Sequence, residues 1–208
     1  DYFLGVKRVN NNIVTVGLKG TKVWNLQGQI IDSFNLTNKS GYNINFSADN
    51  LIVSADNGNL KIFDKNQRQL INQVSFLVNE DHNRKTFIDT AEKKIYLVDD
   101  GSLKKLDYSG QQQNIFKHIS NRGYDVDGLI GQNHLYFTDG KGIVKFSKSD
   151  LKPMKWAYTT DLGETNGWAM GLKVLRDNIG EKIVIFNNSA ILVLDQNLKM
   201  ISHISVTL

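Results

Sequence analysis

Apolar and polar positions along the chain fall into a block that recurs five times: an apolar strand, a tight polar turn, a second apolar strand, and a polar turn often led by Asp or Asn. The second of these strands reads Gly20-Thr21-Lys22-Val23-Trp24-Asn25, Asn59-Leu60-Lys61-Ile62-Phe63-Asp64 and Ser102-Leu103-Lys104-Lys105-Leu106-Asp107 in the first three blocks. In the last two it reads Gly142-Ile143-Val144-Lys145-Phe146-Ser147 and Ala190-Ile191-Leu192-Val193-Leu194-Asp195. The equivalent large apolar residues Trp24, Phe63, Leu106, Phe146 and Leu194 are 39, 43, 40 and 48 positions apart. Each block resolves into four short strands, which in the second block fall at 42–47, 51–55, 59–64 and 70–76. The turn between the middle two is Asp56-Asn57-Gly58 there, Asp99-Asp100-Gly101 in the third block and Asp139-Gly140 in the fourth. The fifth uses Asn187-Asn188-Ser189 and the first Lys19-Gly20. These residue types tolerate positive φ and close tight hairpins, so their recurrence at one place in every block points to a repeated hairpin.

A four-stranded unit recurring every ~40–45 residues is the period of a propeller blade. The expectation is therefore an all-β fold, a β-propeller with five four-stranded antiparallel blades. It is read as one domain, 1–208, with blades at approximately 1–36, 37–77, 78–119, 120–160 and 161–208. Continuous apolar runs such as Leu51-Ile52-Val53 and Ile183-Val184-Ile185-Phe186 imply strands covered on both faces. The outermost candidates, 30–34, 113–116 and 200–205, mix polar and apolar residues as a half-exposed edge should. No stretch sustains a helical period, and 170–175, the nearest to one, is short, lies between glycines and reads as strand. The chain reads as beginning on an innermost strand and ending on an outermost one, so no strand is shared between the first and last blades. Closure then rests on packing blade five against blade one, or the five blades are part of a larger propeller.

The segment from Gly20 through Trp24-Asn25 to Gly28-Gln29 resembles the third-strand segment of a WD-repeat propeller. The stretches 58–64 and 101–107 are similar in a looser way, and the layout extends over all five blocks. The Gly-His pair that opens a typical WD repeat is absent, and Trp24 alone fills the tryptophan position. The pattern is equally similar to quinoprotein-like repeats, where Lys152-Pro153-Met154-Lys155-Trp156 resembles the stretch before the fourth strand. Either resemblance implies a binding scaffold, since WD-repeat proteins mostly dock other proteins.

Composition narrows the partners. The 208 residues are 40% hydrophobic and 22% charged, which is ordinary for a globular domain. The net charge of +4 is spread along the chain, and its densest points are pairs such as Lys93-Lys94, unlike the clustered footprint of a nucleic-acid binder. There is no cysteine, which removes disulfides and thiolate metal sites. The apolar runs are too short to span a bilayer as helices, so membrane insertion is not expected. Opening on Asp1-Tyr2-Phe3 reads as a processed or excised chain. Four Asn-X-Ser/Thr sequons, at Asn35, Asn38, Asn45 and Asn187, are about what so asparagine-rich a chain holds by chance.

Chemistry-bearing residues are sparse. Asp125 and Asp127 would share one strand face, but two carboxylates are fewer oxygen ligands than calcium needs. His82, His118, His134 and His203 lack metal spacing, so neither metal nor cofactor is expected. No catalytic motif is present, and the chain reads as a non-enzyme. The densest polar run, Asn79-Glu80-Asp81-His82-Asn83-Arg84, lies between blocks two and three. Gly-aromatic pairs open three blocks, at Tyr42, Tyr124 and Trp168, and serve either packing between blades or ligand stacking. The longest connections, 35–41, 77–85, 117–123 and 159–166, leave one rim, where a rigid scaffold gathers polar loops for recognition. The leading expectation is a non-catalytic module binding a protein or peptide there, with Arg84, Arg122 and Trp168 as anchors and Glu80, His82 and Tyr124 beside them. The alternative is carbohydrate binding, as a lectin or, less so, a glycosidase, whose two facing carboxyl groups would come from Glu80, Glu164, Asp89, Asp125 or Asp127.

Overall fold

The computed structural model describes residues 3–9, 11–17, 20–34, 43–46, 51–56, 59–64, 66, 69–75, 85–99, 101–117, 128–138, 142–158, 171–177, 180–186 and 190–206. Among the described residues twenty strands form five four-stranded antiparallel sheets, each a meander in chain order, and no described residue is helical. Sheet one is β1 (Phe3–Val9), β2 (Asn12–Gly17), β3 (Gly20–Asn25) and β4 (Ile30–Phe34). Sheet two is β5 (Asn43–Phe46), β6 (Leu51–Asp56), β7 (Asn59–Asp64) and β8 (Gln69–Ser75). Sheet three is β9 (Lys85–Asp89), β10 (Lys94–Asp99), β11 (Ser102–Asp107) and β12 (Gln112–Lys117). Sheet four is β13 (Gly128–Ile130), β14 (His134–Thr138), β15 (Gly142–Ser147) and β16 (Pro153–Tyr158). Sheet five is β17 (Gly171–Asp177), β18 (Gly180–Phe186), β19 (Ala190–Asp195) and β20 (Met200–Ser205). The chain divides into two compact units, Asp1–Ile115 and Phe116–Leu208. Of the stretch 152–156, Pro153 to Trp156 lie in the fourth strand of the sheet, rather than before it.

The turn from third to fourth strand opens on an Asn or Asp acceptor in sheets one, two, three and five. Asn25 Oδ1 accepts the N–H groups of Gln27 (3.1 Å) and Gln29 (2.8 Å). Asp107 Oδ1 accepts those of Ser109 (2.9 Å) and Gln111 (3.0 Å), and Asp195 Oδ1 those of Asn197 (2.8 Å) and Lys199 (2.9 Å). Asp64 does the same for Asn66 at 2.7 Å. The short acceptor satisfies backbone donors that the reversal would leave unpaired. The Ser109 hydroxyl and the same N–H groups hold the Asp107 carboxyl below its ordinary range. Three residues past Asn25, Asp107 and Asp195 the backbone is left-handed, at Gly28 (φ 79°), Gly110 (φ 84°) and Leu198 (φ 58°). In sheet four the turn opens on Ser147 and is one residue longer, placing Leu151 at φ 58°. Leu151 and Leu198 are both buried, and that burial offsets the left-handed strain. Just before the turn the pairing of third and fourth strands shifts register at Trp24, Phe63, Phe146 and Leu194, the equivalent positions in four sheets. A bulge there bends the outer strand and strengthens its twist.

The core sits between sheets. In the first unit Val14, Val23 and Phe34 of sheet one pack on Ile52 and Phe63 of sheet two, with the Phe34 and Phe63 rings edge-on at 5.6 Å. The other face of sheet two, with Val53, Leu60 and Ile62, packs on Ile95, Leu97 and Leu106 of sheet three. In the second unit Tyr136 and Ile143 of sheet four meet Ile183, Ile185, Leu192 and Leu194 of sheet five. Each of these three junctions joins a following face of one sheet to a preceding face of the next. Polar ties flank the second junction: Asn45 Nδ2 donates to the Thr86 carbonyl and, at 3.0 Å, to its hydroxyl, while Asn72 Nδ2 donates to the Ser109 carbonyl. The outer strands β4, β8, β12 and β20 are largely exposed, as their mixed sequences indicate. Sheet five departs from the expectation of full cover, since Val184 is half-buried and Phe186 exposed.

Two glycines with the same backbone separate conformation from packing. A Cβ on Gly28 would meet nothing within 4 Å, whereas one on Gly110 would lie 2.6 Å from Val74 Cγ2 and 3.3 Å from Ile62 Cδ1. Gly28→Ala should cost about 1–2 kcal/mol for the left-handed backbone alone. Gly110→Ala should cost a further ~1–3 kcal/mol for overpacking against sheet two. Urea unfolding of the two variants reads the difference, and equal midpoints would contradict this packing.

Candidate functional site

The six residues expected to bind a partner lie in three connections: Glu80, His82 and Arg84 between β8 and β9, Arg122 and Tyr124 between β12 and β13, and Trp168 between β16 and β17. All six are outside the described residues, as are Asp125, Asp127 and Glu164. In a four-stranded meander the connection out of the fourth strand leaves from the end that carries the second-to-third hairpin. The Asp-led turns occupy the opposite end. Of the candidate carboxylates, Asp89 is described, and it is spoken for. It is buried, and its Oδ1 accepts the N–H groups of Ala91 (3.1 Å) and Glu92 (3.2 Å), closing the β9–β10 turn.

The second unit holds a cluster of polar side chains that the sequence reading missed. Pairing of β14 with β15 sets Tyr136 opposite Lys145. Lys145 Nζ donates to the Gln196 carbonyl at 2.8 Å, and the Tyr136 hydroxyl reaches the same oxygen at 3.4 Å. His134 lies two residues before Tyr136, with ring centroids 6.4 Å apart. From sheet five, Glu181 Oε1 accepts the Gln132 N–H at 2.5 Å. A Cβ on Gly131 would fall 2.6 Å from Glu181 Oε2, so a side chain there would displace the end of the glutamate. Burial raises the Tyr136 phenol to about 12, helped by the negative charges of Glu181 and Asp195. Burial also lowers the Lys145 ammonium, with Asp195 opposing and Lys155 adding to the shift. His134 is pushed below its ordinary 6.5 by burial and then by Lys145, while Glu181 opposes and Lys148 adds.

This cluster binds sheet four to sheet five. Lys145 and Glu181 each hold a backbone group across the junction, and the lysine and tyrosine stems bury apolar length behind their polar ends. Sheet three repeats the pair, with Tyr96 opposite Lys105 and Lys105 Nζ 3.6 Å from Glu92. Sheets one, two and five place Val14–Val23, Val53–Ile62 and Val184–Val193 at these positions. A lysine in the apolar phase of the third strand, facing a tyrosine on the second, was the available signal. In sheet one Trp24 Nε1 donates to Thr15 Oγ1 at 2.7 Å. Among the described residues no three His, Asp or Glu side chains gather as metal ligands.

No protein-family model matches the sequence, and no curated protein matches it. Among solved structures, the C-terminal WD40 domain of Sif2 is similar, with a TM-score of 0.66 and 13% identity over 93% of this chain and 55% of that one. A protein of unknown function from Bacteroides caccae superposes with a TM-score of 0.67 and 10% identity, over 98% of this chain and 81% of that one. The chain thus spans about half the length of the WD40 structure. At these identities the likeness establishes the fold, an all-β, WD40-like β-propeller architecture, in agreement with the resemblance carried by Gly20–Gln29.

The His134 environment sets a pH dependence. The unfolded chain takes up this proton near its ordinary value, and the folded one only at lower pH. The stability carried by neutral His134 is therefore complete above that value and declines as pH falls through it. His134→Gln should flatten the fall of the urea midpoint between about pH 7 and about pH 5. An unchanged slope would remove His134 from the account.

Proposed function

We propose that this chain is a non-catalytic β-propeller interaction module. It binds a protein or peptide partner through the connections that leave the fourth strands. The observation that carries this reading is where the chemistry lies. The Asp and Asn residues of the third-to-fourth turns, and the Tyr–Lys pair of sheet four, are committed to holding the scaffold. The connections that carry Glu80, His82, Arg84, Arg122, Tyr124 and Trp168 leave the other end of their sheets, where loops on a rigid frame serve recognition. The fold shared with a WD40 domain supports docking of other proteins by analogy of fold. Arg84, Arg122 and Trp168 are the proposed anchors, since Arg and Trp dominate interface energetics.

A random peptide library displayed on phage and panned against the folded chain supplies ligands for the test. Arg84→Ala and Arg122→Ala should each weaken the selected peptides by about tenfold or more while leaving the melting temperature nearly unchanged. Normal binding by both, with loss in Asp64→Ala or Asp107→Ala, would place the site at the opposite end. A glycan array run in parallel bears on the carbohydrate reading, and saccharide binding without peptide binding would replace the present one.

A further inference from the structure

The outer strands of the sheets act as controls for one another. On β16 the alternate residues Trp156 and Tyr158 pair with Val144 and Gly142 and so share one face of sheet four. Their rings are stacked, with centroids 6.2 Å apart and planes within 15° of parallel. Both are exposed, Trp156 by 36% and Tyr158 by 42%, while Ala157 between them turns to the other face and is buried. Where Trp156 stands, the same register position holds Ser33 in sheet one, Gln73 in sheet two and His203 in sheet five. Ser75 and Ser205 stand where Tyr158 does. All of these are exposed polar side chains, so the fold asks for no aromatic ring at either place.

We propose that Trp156 and Tyr158 form a stacking platform for a neutral saccharide. A sugar ring presents C–H groups on one face and hydroxyls at its rim, and the negative face of an aromatic ring attracts those C–H groups. Two near-parallel rings along one strand offer an apolar rest while the hydroxyls stay in water. Charge and area favour this occupant over others. The strand residues sharing this face, from Ile130, Leu135 and Phe137 to Val144 and Phe146, carry no charge. A nucleobase would also stack, but a single-stranded nucleic acid needs cations along its phosphates. Lys155 lies on the opposite face, paired with Lys145, and the Lys152 ammonium is 3.4 Å from the Asp150 carboxylate. A stable protein interface takes about 800 Å² from each partner. At roughly 150–250 Å² per aromatic side chain, the exposed parts of the two rings amount to about 200 Å² or less. That area suits a short saccharide. The platform is built from an outer strand rather than from the connections proposed to bind peptides, so either reading can fail without the other.

A printed array of neutral oligosaccharides built from glucose, galactose, mannose and N-acetylglucosamine supplies the probes, and titration of those that bind gives affinities. The wild-type chain should bind at least one. Trp156→Gln and Tyr158→Ser place there the side chains that sheet two carries, so both should keep the wild-type melting temperature. Each should weaken the bound oligosaccharide by about tenfold or more, whereas Trp156→Phe, which keeps a ring, should lose less. Saturation-transfer NMR on the wild-type chain needs no variant: irradiating aromatic protons should label the C–H protons of the sugar. An array without binding overturns the inference. So does saccharide binding that Trp156→Gln and Tyr158→Ser leave intact, since the site would then lie elsewhere. Loss of phage-selected peptides rather than saccharides in Trp156→Gln would make the pair a protein contact, and that result overturns it too.

Discussion

A four-stranded meander with this sequence cannot bury its own side chains. Its two central strands are apolar on both faces, and alternate residues of a strand point to opposite sides. In sheets three and four the central strands place Ile95, Tyr96, Leu97 and Val98, and Leu135, Tyr136 and Phe137, beyond the reach of solvent. Such a strand is stable only with a neighbouring sheet on each side, and the stacking of sheets follows from that requirement. At ~25 cal/mol per Å² of apolar surface removed from water, the stacked faces are the main source of stability, and the turns decide which faces can meet. The Asp-led turn fixes the register of the outer strand and the bulge bends it, so the same packing surface is presented each time.

Within that frame polar groups enter where they can be satisfied. Lys145 and Tyr136 occupy positions that are aliphatic in sheets one, two and five, and both are anchored by the Gln196 carbonyl. A lysine in that place without an acceptor would carry the desolvation penalty of a buried charge. The pair links two sheets through one backbone atom, and with the Glu181–Gln132 contact it adds directionality to a junction otherwise made of aliphatic side chains.

Much of this was legible in the residues. The recurring turn dipeptides and the ~40-residue spacing identified the hairpins and the repeat, because positive φ restricts which residues can occupy those corners. Strand boundaries in sheet two fell within one residue of expectation, as Asn57-Gly58 and the Asp64 turn bracket β7 on both sides. Less visible were features that depend on what faces a residue across a junction. Asp89 read as a possible catalytic carboxylate until its hydrogen bonds to Ala91 and Glu92 showed it closing a turn. The burial of Lys105 and Lys145 was not read from the sequence, because a single strand does not reveal what covers its face. The candidate binding residues lie in connections, where no periodicity constrains the chain; composition alone marked Arg84, Arg122 and Trp168.

The central claim is that burial between sheets, rather than pairing within them, sets local stability. Native-state hydrogen exchange followed by mass spectrometry tests it most directly, since protection reports the free energy of opening each strand. The account predicts that the central strands β6–β7, β10–β11 and β14–β15 exchange slowest. It places β18–β19 below them and the outer strands β8, β12 and β20 lowest. Protection of β20 equal to that of β15, or uniform protection across every sheet, would contradict it.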